Sequence, residues 1–196
     1  MLSHILVTPP ASEPVTLTDF KTHARITSTQ DDPLLTGLLK AARQWCEHYT
    51  RRAFIHQVWE LALSTPPSKE SVTLPRTPLA EVVSVQLYDE DDQLTNWISN
   101  NYYGDTLSQP GRLVLREGAV WPDFSRCANG MVITYRAGYG EDPDAVPEAI
   151  KLAIKQLALH WYEYRGEAIN TTMIAPAPLT IEALLHDFRL YSMGAA

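Results

Sequence analysis

Six histidines and two cysteines are the residues of this chain best suited to metal or acid–base chemistry. Cys46 and His48 stand two apart, a spacing that sends them to different faces of a helix and unsuits them as joint ligands. His160 and Glu163, three apart, share a helix face as a base and its partner would. Two side chains do not make a metal site, however, and Trp161, Tyr162 and Tyr164 crowd around them. His186 beside Asp187 has the same weakness. No serine lies in a G-x-S-x-G elbow and neither cysteine has a nucleophile's signature around it. Cys46 follows Trp45 on an apolar helix face, the setting of a buried, inert thiol. RAGYGEDPD holds a G-x-G without a third glycine or a phosphate-binding lysine, and reads as a strand-to-helix loop. The run Asp89 to Asp92 lacks the glycine and distal glutamate of a calcium loop and reads as a solvated hairpin tip. No catalytic residue, metal site or cofactor is expected.

Binding chemistry is better represented. Arg51 and Arg52 close a helix, where cations complement the dipole; they are also candidates for a phosphate or partner contact. Trp161, Tyr162, Tyr164 and Arg165 fall almost consecutively on a helix, so some must leave the local core. Aromatic and arginine side chains are the usual anchors of interfaces, which makes these four a candidate subunit interface.

The elements that must position these residues follow from periodicity. Thr16 with Asp19 resembles a capping box, followed by Leu17, Phe20 and Ala24 on one face. Asp32-Pro33 opens a second helix over about 33–52, with Leu35, Leu38, Ala42, Trp45 and Tyr49 as its apolar stripe. The pattern then changes to period two. Ile55, Gln57, Trp59, Leu61 and Leu63 share one face of a strand, and Val83, Val85 and Leu87 one face of another, with shorter strands at 71–74, 112–115 and 131–136. Pro66-Pro67, Asp89 to Asp92, Gln109-Pro110-Gly111 and Asn129-Gly130 supply the turns. Helix returns at Pro147-Glu148, with Ile150, Ile154, Leu157, Trp161 and Tyr164 in step. After the linker TTMIAPAP, a short last helix carries Ile181, Leu184, Leu185 and Phe188. An α+β fold is expected: a base of N- and C-terminal helices with a small antiparallel sheet inserted between them. The segments are 1–53, helical; 54–143, the β module; and 144–196, helices packing back on the first, making one composite domain plus insertion.

Composition excludes several classes. The 196 residues are 45% hydrophobic and 20% charged, neither disordered nor fibrous. No apolar run approaches the ~20 residues of a membrane span. The opening MLSHILVTPP lacks a signal peptide's basic and long apolar stretches, and two cysteines make no disulfide framework. Net charge is -7, which argues against a general nucleic-acid binder. Residues 54–143 are the acidic part, with six basic and twelve acidic side chains.

Several strings in one order carry a family resemblance: YTRRAFIHQVWEL at 49–61, LPRTPLAEVVSV at 74–85, YRAGYGEDPDAVPEAI at 135–150, HWYEYRGEA at 160–168 and LTIEALLHDFRL at 179–190, with VTLTDFKTHARI near the start. Together they resemble the head–tail connector (adaptor) proteins of long-tailed double-stranded DNA bacteriophages and prophages. The resemblance implies a non-enzymatic virion protein of the neck, assembled in the host bacterial cytoplasm. It implies a homo-oligomeric ring, usually dodecameric, docked beneath the portal protein and carrying a tail-side stopper (head-completion) protein. DNA would pass through the channel without sequence-specific binding, and no membrane is involved. The family's C-terminal segment helps to grip the portal, so Ile181, Leu184, Leu185, Phe188 and Arg189 become the candidate docking stripe. The alternative that the last helix belongs to the chain's own core stays open. Two rival functions do too: a DNA-packaging factor using Lys40, Arg43, Arg51 and Arg52, and a small hydrolase using the His160–Glu163 region.

Overall fold

The computed structural model describes residues 2–124, 126–164 and 179–191. It divides into two compact units, one of Met1–Ala11 with His56–Gly140, the other of Ser12–Ile55 with Glu141–Ala196. The first is built of strands, the second of helices, and the fold is α+β.

Among the described residues, eight strands form the first unit: β1 (Leu2–Thr8), β2 (Gln57–Leu63), β3 (Ser71–Thr73), β4 (Leu79–Tyr88), β5 (Leu94–Asn96), β6 (Tyr102–Asp105), β7 (Arg112–Leu115) and β8 (Met131–Ala137). A five-stranded sheet runs β1-β2-β8-β4-β5 and a three-stranded one β3-β7-β6, with every pairing antiparallel. Strand β8 is central, and its buried residues alternate: Met131, Ile133, Tyr135 and Ala137 face the core. Leu61, Leu63, Leu79 and Val85 join them from β2 and β4.

Three strands differ from the sequence expectation. Strand β1 lies in the segment expected to be helical; its pairing partner, β2, is some fifty residues away, so no local pattern announced it. β5 and β6 are short hairpin strands without a long alternating run. The expected common face of Val83, Val85 and Leu87 is also corrected. The register between β4 and β8 shifts between Val82 and Ser84, so Val83 bulges out, half-exposed, while Val85 is fully buried. Ile55 is buried too, but in the helical unit, before β2 begins.

The second unit holds α1 (Leu17–Ala24), α2 (Asp32–Thr50), α3 (Glu148–Glu163) and α4 (Leu179–His186). Thr16 caps α1, its Oγ1 accepting from the Asp19 N–H at 3.1 Å and donating to the Asp19 carboxylate at 2.7 Å. Asp32 does not cap α2; it pairs with Lys21 at 2.6 Å. Helix α2 packs on α3, and α4 on both. On α3 the expected stripe holds for Ile150, Ile154 and Leu157, which are buried. On α2 the buried face is Leu35, Leu39, Ala42, Arg43, Cys46, Glu47 and Thr50, so Leu38, Trp45 and Tyr49 sit at its margin. The face turned because it accommodates a charged pair, described next.

Candidate interaction surfaces

Arg43 and Glu47, one turn apart on α2, are both buried. Arg43 donates Nε–H to Glu13 at 2.7 Å and Nη1–H to Glu47 at 2.5 Å, and the other Glu47 oxygen accepts the Phe54 backbone N–H at 2.9 Å. The guanidinium is thus clamped between two carboxylates, which anchor the segment leading into α1 and the chain leaving α2. Cys46 is buried beside them. Burial, with Glu47 adding to it, pushes its thiol up to about 12, so it is no nucleophile.

Where α2 ends, Arg51 takes the left-handed conformation (φ 59°) and turns the chain. Arg51 is exposed. Arg52 is not available as a free phosphate contact: it is 7% exposed and donates Nε–H to the Phe188 carbonyl at 2.6 Å. The Leu190 N–H donates to the Thr50 carbonyl at 3.1 Å, so the chain after α4 is stapled to the end of α2. Within the candidate docking stripe, Ile181 and Leu185 are fully buried in the helical unit, Leu184 and Phe188 are half-buried, and Arg189 is exposed.

That staple assembles a surface ladder no sequence signal announced. Trp45 stacks on Tyr49 at 5.2 Å. The Arg189 guanidinium lies 4.9 Å from the Tyr49 ring and 5.3 Å from the Tyr191 ring, and Tyr191 in turn meets His186. Tyr49 and Arg189 are far apart in the chain and meet only through the α2–α4 packing.

The four aromatic-run residues part company. Trp161 and Tyr162 are half-buried and Tyr164 exposed, while Arg165 lies outside the described residues. The Tyr162 hydroxyl donates to Asp31 at 2.7 Å, tying α3 to the start of α2. His160 packs at a tilt on Tyr164, and Glu163 is exposed.

In the sheet unit, β1 forms one edge of the larger sheet, and Ile5, Leu6 and Val7 are exposed along it. The strand carries no lysine or proline of the kind that guards an edge. It is held from below by His4, which stacks on Trp59 at 4.6 Å. The Tyr135 hydroxyl accepts the Arg76 N–H at 3.1 Å and shares a hydrogen bond of 2.8 Å with His4 Nε2. Desolvation, reinforced by Arg76, lowers the His4 pKa from 6.5 to about 4, and burial raises that of the Tyr135 phenol. Two exposed turns are locked by aspartates. Asp105 accepts from Ser108 and Arg112, which hold its carboxyl well below the usual range, and fixes the loop that displays Leu107. Asp89 Oδ1 accepts the Asp91 and Gln93 N–H groups at 2.9 and 2.8 Å, shaping the acidic β4–β5 turn. Asp92 there approaches Arg126 at 3.5 Å.

Among the described residues no three His, Cys, Asp or Glu side chains cluster to hold a metal, and no helix is long and apolar enough to cross a membrane. The arrangement offers anchors for protein contacts.

Comparison with known proteins agrees with that character. No curated protein matches the chain. Solved structures do, over 100% of this chain and 98% of theirs: a chain in the neck of an empty gene transfer agent particle computed with C6 symmetry (TM-score 0.79, 24% identity), one in the virion of the native particle (0.78, 24%), and one in the native neck computed with C12 symmetry (0.75, 25%). The family model for head completion proteins matches residues 13–188. The chain therefore belongs to the head completion protein family.

Proposed function

We propose that the chain is a non-enzymatic subunit of a homo-oligomeric, twelve-membered ring in the virion neck, assembled in the host bacterial cytoplasm. In this reading the ring docks beneath a portal protein, carries a tail-side stopper protein and surrounds the DNA channel. The observation that carries it is the end-to-end similarity to a chain of the C12 neck, at 25% identity. A rotational ring needs one patch meeting a different patch on the neighbour, and two chemically unlike units supply unlike patches. A net charge of -7 suits a conduit, because each phosphate neutralised would add affinity that slows passage. Residues 54–143 act in this reading as an insertion into one composite helical domain. Trp161, Tyr164 and Arg165 remain candidates for the subunit interface. For portal docking, Leu184 and Phe188 remain, since Ile181 and Leu185 are buried by the chain itself and Arg189 is engaged by the Tyr49 and Tyr191 rings.

Electron microscopy of the purified protein, alone and with its portal, tests the reading. A ring concentric with the portal is expected, and a closed two-fold dimer in both conditions would overturn it. Duplex DNA should bind weakly and without sequence preference. Tight binding at physiological salt, lost on Arg51→Ala, would favour a packaging factor instead.

A further inference from the structure

The Arg189 guanidinium is held between the Tyr49 and Tyr191 rings, and among the described residues its N–H edge meets no acceptor. Stacking on aromatic faces leaves an arginine's in-plane donors free and restricts the side chain before binding, so less freedom is lost when a carboxylate arrives. The fork of donors matches a carboxylate two bonds at a time. That geometry suits a single acidic side chain.

The same chain carries a matching feature in its other unit. The β4–β5 turn presents four carboxylates in succession, all exposed. Asp89 is occupied in shaping the turn and Asp92 leans toward Arg126. Glu90 and Asp91 are left with side chains that meet no partner among the described residues. Like charges crowded on a rigid turn gain from a cation brought from outside.

We propose that Arg189, between Tyr49 and Tyr191, receives Glu90 or Asp91 from the acidic turn of a second copy of this chain, as one side of the heterologous contact that propagates the ring. The proposal rests on the ring reading and names a contact within it. One patch lies on the helical unit and the other on the sheet unit, so the contact is not self-complementary, as closure by rotation requires. DNA is the less suitable occupant: Glu182 and Asp187 line the groove beside Tyr49, and a polyanion tracking across it would meet both.

Charge reversal tests it in ring assembly on the portal, read by native mass spectrometry. Arg189→Glu, and separately Glu90→Arg with Asp91→Arg, should each lower the protomers in rings about tenfold or more, the scale of one close charge pair across an interface. All three substitutions in one chain should restore assembly to within about threefold of wild type. In a Cys127→Ser background, Arg189→Cys with Asp91→Cys should give a ladder of cross-linked oligomers when assembled rings are treated with a short bis-maleimide, which adds to both thiols and spans the length that the arginine side chain had filled. Unaltered rings with Arg189→Glu, or no rescue together with no ladder, would overturn the contact while leaving the ring intact. Intact Arg189→Glu rings that have lost portal or DNA binding would assign the receptor to that partner and overturn it too. If the wild-type protein forms no ring, the neck reading fails and this contact with it.

Discussion

The two units bury polarity in opposite ways. The helical unit keeps full charges inside: Arg43 lies between Glu13 and Glu47, and Glu47 also takes the Phe54 N–H. The sheet unit keeps its polar group neutral: His4 sits against Trp59 and Tyr135 with its pKa lowered to about 4. Burying a charge is tolerated when every face of it meets a partner, and a long helix offers such partners one turn apart. A sheet face offers neighbours of fixed spacing and mostly apolar type, where the cheaper state of an imidazole is the uncharged one. The ion pair therefore acts as a clamp on chain entry and exit, and the histidine as a pH-limited pin under an edge strand.

The sharpest break of that comparison is in the helical clamp. Arg43→Met leaves Glu47 buried without its cation and should cost about 3–5 kcal/mol in chemical denaturation. A loss under about 1 kcal/mol would show that the clamp is decorative. Next comes the last helix. Leu185→Ala should cost about 2–4 kcal/mol, because the residue is fully buried. If α4 were only a docking element, the isolated protein's melt would not register the change.

The sheet unit should respond to acid instead. The folded pKa of His4 lies below its unfolded value, so the unfolded state binds the extra proton between about pH 6.5 and 4. The stability contribution is complete above about 6.5 and declines as pH falls to about 4. Amide protection in β1, corrected for the intrinsic pH dependence of exchange, should fall over that window, and His4→Gln should flatten the response. A profile unchanged by the substitution would place the sensitivity elsewhere. Smallest is Tyr162→Phe, which removes one hydrogen bond and should cost about 1 kcal/mol by melting. If Tyr162 is a strut toward Asp31 alone, its loss leaves ring assembly untouched.

Much of the scaffold was legible in order. The steps of three and four placed α2 and α3, and Thr16 with Asp19 marked the start of α1, because capping and amphipathicity are local. Alternation found β2, β4 and β8. β1 escaped because an edge strand with exposed apolar side chains has no alternating face, and its partner is remote. The bulge at Val83 escaped because register belongs to the pair of strands, never to one.

The candidate surfaces divide the same way. Which residue types are present, and that Cys46 falls on an apolar helix face, are properties of the string. That Arg52 turns inward to Phe188, that Tyr162 meets Asp31, and that Arg189 lies between Tyr49 and Tyr191 are not. Each joins segments far apart in the chain, and a side chain's exposure depends on what packs against it. Local periodicity determined the helices, the central strands and the acidic character of the middle segment. Only tertiary packing decided which arginine is a strut and which is left exposed, because that choice is made by neighbours the chain brings together on folding.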